Sequence, residues 1–533
     1  MKKIRHLIVA SSLSGAFPLL SVAATATWSG NSSVNWSDAA NWGGIAPVSG
    51  DNLIFNAAGT QGASLSNDIA SLQIGTLTFG ASASAYTFGG SAFTLTGGIA
   101  HTGTALQTIG NAVALSGAVT ASTSGGGNLA LNGVLSGSGG SLTVSGTGTT
   151  TLGAANTYTA GTAVSSGTLA FSNIGTNNVT ALGTGSVTLG DANTGTANVA
   201  LLWTPTVGGQ MVANAIVVAA SGTGTVTIGT ATNAFQNQTF SGALTLNRAT
   251  TLTGGTSGRT NFNGVISGNV GTLTIAATNN GSVVFGGGAA NTYTGGTVVS
   301  SGTLAFSNVG ALGSGSVTLG DADTGAANIA LLWTPTAASQ TVANAIVVAA
   351  AGTGTVTIGT AVNTFTNPSY SGALTLNRAT TLYGGSSDRT NFKGGISGNV
   401  GTLTIANSRV IFEGTAVNTF TGDVVVAGGA TLQLGVNSEA VDYIPDASSV
   451  TVNGTLNLSY TAGGTETINA LNGSGTIGTL GGAGMRRLQV GAGNGSGTFS
   501  GVIGGSTGLA LTKTGTGTQT LSGANTYAGG TVI

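Results

Sequence analysis

The side chains that could carry catalysis are few and scattered along the chain. His101 is the only histidine after residue 26, so a Ser-His-Asp triad or a histidine metal site would depend on it alone. No G-x-S-x-G motif accompanies it. We therefore expect His101 to occupy an ordinary strand or turn position. The chain contains no cysteine, which excludes disulfides, thiolate metal ligands and a cysteine nucleophile.

One pair of carboxylates, Asp321 and Asp323, is close enough in sequence to be considered for acid–base chemistry. Polysaccharide-active β-helices use clustered acids, and paired-carboxylate chemistry requires both members. The equivalent positions in a second, related segment are Asp191 and Asn193, so that segment lacks the second carboxylate. We interpret these residues as turn-forming side chains that hydrogen-bond nearby backbone.

A second pair, Asp442 and Asp446, receives the same interpretation. A calcium-binding array would need G-G-x-G-x-D in tandem, and that pattern is absent. Glycine-rich runs such as GTGTVTIGT lack the strand, loop and helix setting that phosphate binding requires. The sequence therefore predicts no catalytic residue, no cofactor site and no metal site.

Basic residues offer one further candidate for ligand binding. Arg259 and Arg389 each precede Thr-Asn-Phe, and Lys393 follows the second copy. Stacked arginines could bind a sugar or a phosphate. No cluster of charge is visible around them in the sequence, so we interpret them as solvated turn residues inherited by duplication.

Residues 1–26 have the features of a signal peptide. Lys2, Lys3 and Arg5 precede an apolar stretch from Leu7 to Val22, and the segment ends in Ala-Thr-Ala. Its removal leaves nine of the 12 basic residues against 13 acidic ones, a net charge of about −4. Because no basic stripe exists, we expect no nucleic-acid partner. The predicted location is extracellular or the bacterial cell surface.

The composition predicts a thin, stacked core rather than a wide globular one. Glycine numbers 94 among 533 residues, hydrophobic residues reach 41%, and aromatic and charged residues are 5% each. Short segments such as GTLTI and GSVTLG alternate apolar and small polar residues, and Gly, Asn, Asp and Ser separate them. No window has a helical period. A row of β-sandwiches would need more bulky aromatic residues.

A long duplication pairs residues 156–275 with 291–405. The block that begins at Ala181 with ALGTGSVTLGDANTGTANVALLWTPT recurs with few changes from Ala311. Repeats of this kind indicate a solenoid, in which each coil stacks on the one before it. We predict an all-β fold, an elongated, right-handed parallel β-helix (β-solenoid), of roughly 25 coils at about 20 residues each.

A short signature of asparagine, threonine and an aromatic residue occurs four times. We predict that its asparagine opens a turn, bonding its own backbone or adopting left-handed geometry. We predict that the aromatic residue covers the edge of the coil below, and since one copy has phenylalanine, that its hydroxyl is dispensable. These positions are assigned to stability rather than to ligand contact: Asn156, Tyr158, Asn291, Tyr293, Asn418, Phe420, Asn525 and Tyr527.

The run GTFSGVIGGSTGLALTKTGTGTQTLSGANTYAGGT, from Gly497 to Thr531, resembles the autotransporter-associated β-strand repeat of bacterial surface proteins. The other three copies depart from that pattern because they lack its lysine. The resemblance implies a passenger-like β-helix without catalytic residues. It also implies an outer-membrane barrel or a sorting anchor downstream. Because the sequence stops at GGTVI, we interpret it as truncated at the C-terminus.

The expected organisation is a signal peptide (1–26), an N-terminal capping region (27–70) and a solenoid of degenerate repeats (71–533). Trp28, Trp36 and Trp42 are expected to close the N-terminal end rather than to bind carbohydrate. The predicted function is a secreted or cell-surface structural or adhesive protein, not an enzyme, whose partners would be surface glycans or neighbouring cells. The alternatives are a carbohydrate-binding or polysaccharide-active β-helix and an ice-binding solenoid.

Overall fold

Alternating apolar and small polar residues produce strands that bury one face and expose the other. The computed structural model describes residues 23–172, 179–231, 235, 237–361, 367–385, 389–436, 441–459, 464–480, 485–505 and 508–533. Most of the predicted signal peptide, residues 1–22, lies outside the described residues. Within them the chain forms 55 short strands, one 3-10 helix (Ala39–Trp42) and no α-helix.

The strands before residue 173 are Thr25–Thr27 (β1), Asn52–Phe55 (β2), Ser64–Asn67 (β3), Leu72–Ile74 (β4), Leu77–Phe79 (β5), Thr87–Gly90 (β6), Phe93–Leu95 (β7), Ile99–His101 (β8), Gln107–Ile109 (β9), Val113–Leu115 (β10), Ala118–Thr123 (β11), Leu129–Leu131 (β12), Leu135–Ser136 (β13), Ser141–Gly146 (β14), Thr149–Leu152 (β15), Thr162–Val164 (β16) and Gly167–Ser172 (β17).

The strands of the long duplication are Val187–Leu189 (β18), Val199–Thr204 (β19), Met211–Val212 (β20), Ile216–Val218 (β21), Val226–Thr230 (β22), Gln238–Phe240 (β23), Leu244–Leu246 (β24), Thr250–Thr253 (β25), Arg259–Phe262 (β26), Ile266–Ser267 (β27), Thr272–Ala276 (β28), Ser282–Phe285 (β29), Gly296–Phe306 (β30), Val317–Leu319 (β31), Ile329–Trp333 (β32), Thr341–Val342 (β33), Ile346–Val348 (β34), Val356–Thr360 (β35), Ser369–Tyr370 (β36), Leu374–Leu376 (β37), Thr380–Tyr383 (β38), Arg389–Phe392 (β39), Ile396–Ser397 (β40) and Asn399–Ala406 (β41).

The remaining strands are Arg409–Phe412 (β42), Thr421–Val426 (β43), Thr431–Leu434 (β44), Val450–Val452 (β45), Thr455–Leu458 (β46), Thr465–Ile468 (β47), Leu471–Asn472 (β48), Thr476–Thr479 (β49), Arg486–Val490 (β50), Gly497–Phe499 (β51), Val502–Ile503 (β52), Leu509–Lys513 (β53), Gln519–Leu521 (β54) and Thr531–Val532 (β55).

Strands pair in parallel between successive coils, and a coil can contribute strands to three ladders. The coil that contains β24, β25 and β26 shows this arrangement, since β24 pairs with β21 and β27, β25 with β22 and β28, and β26 with β23 and β29. The predicted all-β parallel solenoid is confirmed, with about 21 turns.

The estimate of roughly 25 coils was too high because many coils are longer than 20 residues. Leu142 pairs with Thr162, twenty residues later, whereas Leu189 pairs with Val218, twenty-nine residues later. The additional residues lie in loops between the strands of the long duplication. Coil length therefore varies along the chain while the register within each ladder is kept.

The interior consists of columns of apolar side chains that lie in register from coil to coil. The first ladder consists of β1, β2, β5, β8, β11, β14, β16, β18, β21, β24 and β27, and one of its columns is at most 4% exposed at every level from Leu53 onward. Stacking at about 4.8 Å lets residues of this size fill the narrow interior. This column runs through Leu53, Leu77, Ile99, Ala121, Val144, Val164, Leu189, Val218 and Leu246.

Aromatic side chains are buried in the first coils. Trp28, Trp36 and Trp42 are at most 7% exposed. Trp36 contacts the ring of Phe55 at 5.8 Å and that of Phe88 at 5.2 Å. The indole N–H of Trp42 donates to the carbonyl of Trp36 at 2.8 Å. These rings are buried against the first coils and are not presented to a ligand, while the capping role of residues 27–70 stays a prediction.

The first ladder begins inside the segment predicted to be a signal peptide. Thr25 pairs with Asn52 and Ala26 with Leu53, and the Ala24 N–H donates to Asp51 Oδ1 at 3.1 Å. In the described part of the chain no helix has the length and apolar character needed to cross a membrane.

Candidate functional site

The asparagine of the repeated signature joins three successive coils through its side chain. Asn156 is 1% exposed. Its Oδ1 accepts from the Leu135 N–H at 2.7 Å, and its Nδ2 donates to the Ala181 carbonyl at 2.6 Å. Leu135 belongs to β13, the last strand of its ladder. The Asn156 side chain therefore accepts the hydrogen bond that a further strand of this ladder would otherwise accept from Leu135.

The other copies repeat this arrangement. Each signature asparagine accepts from the N–H of a residue in the final strand of a ladder, and the strands concerned are β27, β40 and β52. The bonds run from Ile266 to Asn291 (2.8 Å), from Ile396 to Asn418 (2.8 Å) and from Ile503 to Asn525 (2.9 Å).

The predicted geometry of these asparagines is therefore wrong. None of the four has a positive φ, and each side chain bonds the backbone of a neighbouring coil instead of its own backbone. Asn291 and Asn418 also donate upward, to Ala311 at 2.6 Å and to Tyr443 at 2.8 Å. The sequence gives no signal for this role, because the partners are 20 to 25 residues away.

The aromatic residue of the signature is buried under the next coil. Tyr158 and Tyr293 are fully buried, Phe420 is 1% exposed, and Tyr527 is half-buried in the last coil. Burial raises the pKa of Tyr158 and of Tyr293 to about 12. Gly313, at φ +62°, lies directly on the Tyr293 ring, and a Cβ there would be 2.7 Å from the Tyr293 carbonyl oxygen.

The tyrosine hydroxyl has a constant partner four residues later. The distances are 2.6 Å from Tyr158 to Thr162, 2.7 Å from Tyr293 to Thr297 and 2.6 Å from Tyr527 to Thr531. The phenylalanine copy has valine at that position. This copy therefore lacks both the tyrosine hydroxyl and the threonine hydroxyl that would bond it. For this reason it does not show that the tyrosine hydroxyl is dispensable in the other three copies.

His101 lies at the end of β8 and is fully buried. Its Nε2 is 2.7 Å from the Ala105 carbonyl, and its ring contacts Phe79 edge-on at 6.0 Å. Burial lowers the pKa of the imidazole, which keeps it neutral near pH 7. The expectation of an ordinary strand position is confirmed.

The aspartates of the long duplication form turns in both copies. Asp321 Oδ1 accepts from the Asp323 N–H at 3.0 Å and from Thr324 Oγ1 at 3.1 Å, and its Oδ2 accepts from Ser300. Asp191 forms the equivalent bonds, including one from the Asn193 N–H at 2.7 Å. Asp323 is exposed, so the pair does not converge on one point.

The acids near residue 442 bind backbone. Asp442 accepts from the Thr467 N–H at 3.2 Å, and burial, with a smaller contribution from the charge of Asp446, raises the pKa of Asp442 to about 6. Glu466, which is fully buried, accepts from the N–H groups of Tyr443 and Ile444 at 3.1 and 2.7 Å. Over the described ranges no group of three His, Cys, Asp or Glu could hold a metal ion.

One cluster of charge does form, on the outer surface of the ladder that contains β36, β39, β42 and β44. A groove of about 570 Å³ lies there. Arg389 and Arg409 are partners in adjacent coils, and Lys393 binds Glu413 at 3.1 Å. We call this the basic groove and define it by Arg389, Asn391, Lys393, Arg409, Glu413 and Gln433.

The sequence interpretation of Arg389 and Lys393 as unclustered turn residues is therefore wrong. Arg409 completes the cluster, and it lies 20 residues after Arg389 in a different sequence context. Only the parallel register places the two arginines side by side. Arg409 Nη1 also donates to Gln433 Oε1 at 3.4 Å, one further coil along the ladder.

The long duplication provides a second groove at the equivalent place, with a volume of about 610 Å³. We call it the sister groove. It contains Arg259, whose coil partner is Ser282 instead of an arginine. Where the basic groove has Glu413 and Gln433, the sister groove has Gly286 and Ala305. Arg259 Nε donates to Asn261 Oδ1 at 3.1 Å.

A family profile, the passenger-associated-transport-repeat, matches residues 142–171, 269–306 and 511–533. These segments contain the signatures at Asn156, Asn291 and Asn525. No curated protein and no solved structure matches the chain. The resemblance noted in the sequence is confirmed at these three segments, each of which matches the passenger-associated-transport-repeat.

Proposed function

We propose that this chain is the passenger part of an autotransporter and forms a structural or adhesive rod on the bacterial surface, with no catalytic centre. The observation that carries the proposal is the repeat itself. Three of the four asparagine signatures that bridge successive coils lie in segments matched by the passenger-associated repeat. A passenger depends on a separate translocator for export, so a translocator is the expected partner.

The arrangement of potential catalytic groups supports a non-enzymatic role. His101 is buried and bonded to a carbonyl, Asp321 forms a turn, and Asp442 binds a backbone N–H. Of these three groups, Asp442 interacts with a second carboxyl group, that of Asp446, but Asp442 already accepts the backbone N–H of Thr467. Affinity for a surface would come from repeated weak contacts along the rod.

The ice-binding alternative lacks support on the first ladder. Ice binding would need regular ranks of threonine on one flat face. The outward rank there reads Thr143, Ala163, Thr188, Val217 and Thr245, so alternate levels carry a methyl or an isopropyl group.

The proposal is tested by producing the chain in a Gram-negative cell as a fusion to the translocator barrel of an autotransporter. We expect external protease to remove the chain from intact cells, and cells that display it to adhere to surfaces or to each other more than cells without it. His101→Ala, Asp321→Ala and Asp442→Ala should each leave adhesion unchanged. Retention of the chain inside the cell, or loss of adhesion in any one of these variants, would contradict the proposal.

A further inference from the structure

We propose that the outer surface around Tyr383 binds a neutral oligosaccharide. This site goes beyond the proposed rod function, because a rod needs no localised ligand site. Tyr383 lies in β38 with its side chain on the outer face, where it is partly exposed. The other aromatic side chains on the strands of the described chain are buried. The ring of Tyr383 therefore stands outside the interior columns that stabilise the solenoid.

The long duplication contains a second copy of this surface that lacks the ring. Each copy has an outer row of four residues, one from each of four successive coils, which begins with alanine, leucine and glycine. The fourth residue is Tyr383 in one row and Thr253 in the other. Tyrosine at this level is therefore a local addition to a surface that the fold builds twice. The rows are Ala305–Leu332–Gly359–Tyr383 and Ala170–Leu202–Gly229–Thr253.

A rank of threonine hydroxyl groups lies beside the row that contains Tyr383. Thr357, Thr381 and Thr404 are register partners in three successive coils, and their side chains are on the outer face. They are about 4.8 Å apart from coil to coil, and Thr381 lies roughly 6.6 Å from Tyr383 along β38. Within the described chain the hydroxyl groups of these four residues form no hydrogen bond. Each hydroxyl can therefore donate to a ligand and accept from it.

An aromatic ring beside available hydroxyl groups is suited to a pyranose. The C–H groups on one face of a sugar ring can pack on the electron-rich face of tyrosine, while its hydroxyl groups bond the threonines. The residues of these two outer rows from β32 to β41 carry no charge, so the rows do not select a carboxylate or a phosphate. An apolar peptide would cover the threonine hydroxyls without bonding them, which is costly.

The direction of the threonine rank favours an extended ligand. Because one threonine is contributed by each coil, a chain of sugars lying parallel to the solenoid axis would meet Thr357, Thr381 and Thr404 in turn. A β-1,4-linked chain is extended and has flat ring faces, so it can remain in contact with a sheet over several levels. The expected ligand is therefore a neutral β-linked oligosaccharide that is anchored at Tyr383.

The experiment measures binding of the purified chain by ligand-observed NMR titration. The probes are hexamers of β-1,4-linked glucose and of β-1,4-linked N-acetylglucosamine, and a galacturonate hexamer and a peptide of leucine and serine serve as comparisons. We expect at least one neutral hexamer to bind and both comparison ligands to bind at least about tenfold more weakly. Tyr383→Thr should weaken binding of the neutral hexamer at least about tenfold, because it removes the aromatic anchor. Tyr383→Phe keeps the ring and should retain most of the binding.

The duplication supplies matched controls. Thr381→Val removes one hydroxyl of the rank with little change in shape and should weaken binding. Thr251→Val makes the same change at the equivalent position of the other copy and should leave binding unchanged. Thr253→Tyr, added to Tyr383→Thr, should restore binding on the other row, where Thr227, Thr251 and Thr274 form the corresponding rank.

Several results would overturn the proposal. It fails if neither neutral hexamer binds, if Tyr383→Thr binds as well as the natural chain, or if the acidic hexamer or the peptide binds equally well. It also fails if Thr251→Val weakens binding as much as Thr381→Val, or if Thr253→Tyr does not restore it. Hydrogen exchange shows whether residues 380–406 of Tyr383→Thr stay protected. If they do not, Tyr383→Phe must still retain binding and Thr381→Val must still weaken it.

Discussion

The phenol oxygen of Tyr293 lies 2.7 Å from Oγ1 of Thr297, four residues later and within the buried interior. The same pair recurs in two other copies of the signature, and the remaining copy has Phe420 and Val424 in its place. A buried hydroxyl without a partner is costly, whereas replacing both partners by apolar groups of similar shape can be nearly neutral. The four copies therefore retain either the whole hydrogen bond or none of it.

This relationship predicts a strongly non-additive pair of substitutions. Tyr293→Phe and Thr297→Val should each destabilise the surrounding coils by about 1–2 kcal/mol, because each leaves one buried hydroxyl without its partner. The double variant should recover most of that loss. Hydrogen exchange of the amides near residues 290–300 measures the local free energy of opening.

The phenylalanine copy supplies the matched control. Phe420→Tyr alone should destabilise its coil, and Phe420→Tyr combined with Val424→Thr should restore protection. Additive effects at both sites would show that packing alone determines these positions.

Removal of the whole ring should have a larger effect. Tyr293→Ala empties a fully buried site covered by Gly313 and should cost about 2–4 kcal/mol. Because solenoid coils interact mainly with their neighbours, protection should fall around residues 280–310 and persist in distant coils. Unchanged exchange together with loss of a surface ligand would assign the ring to a binding face instead.

The signature asparagine should tolerate almost no substitution. Asn291→Ala would leave the Ile266 N–H and the Ala311 carbonyl without their partners in the solenoid, and should cost at least as much as a lost buried hydrogen bond, about 1–3 kcal/mol. Asn291→Asp keeps the acceptor but removes the donor. We expect it to preserve exchange protection at Ile266 better than Asn291→Ala does. Equal loss in the two variants would contradict the bridging role.

The sequence was sufficient to predict strands, repeats and stacking, because period-two alternation and self-similarity are local properties. It also located the signature residues. It did not reveal what Asn156 bonds or that Arg389 meets Arg409, since both depend on coil length. That length ranges from 19 residues, between Leu152 and Phe171, to 32 residues, between Phe171 and Trp203. Without the register, the sequence does not show which residues of adjacent coils lie side by side.

The position of β1 leads to a prediction about where the signal peptide is cleaved. Cleavage after Ala26 would remove the pairs from Thr25 to Asn52 and from Ala26 to Leu53. Cleavage after Ala24 would keep all of β1, and Val-Ala-Ala there also presents small residues to a signal peptidase. We expect N-terminal sequencing of exported protein to begin at Thr25. A start at Thr27 would show that these two pairs are not needed.

The raised pKa of Asp442 predicts that the stability of its coil depends on pH. Burial raises its pKa from an ordinary value of 3.8 to about 6 in the folded chain. The folded state therefore holds a proton that the unfolded chain releases at lower pH. This contribution to stability is fully present below about pH 4 and is lost as the pH rises through 6.

The variant Asp442→Asn tests whether the stability of this coil falls as the pH rises. The amide keeps an oxygen that can accept from the Thr467 N–H but cannot ionise, and it removes the repulsion from Asp446. We expect the variant to be more stable than the natural chain at pH 7.5 and nearly equal to it at pH 4, as measured by exchange protection around residues 441–468. Asp446→Asn is the control and should give a smaller gain, because burial contributes more than that charge to the raised pKa. A gain from Asp442→Asn that is the same at both pH values would show that ionisation of Asp442 does not control the stability of this coil.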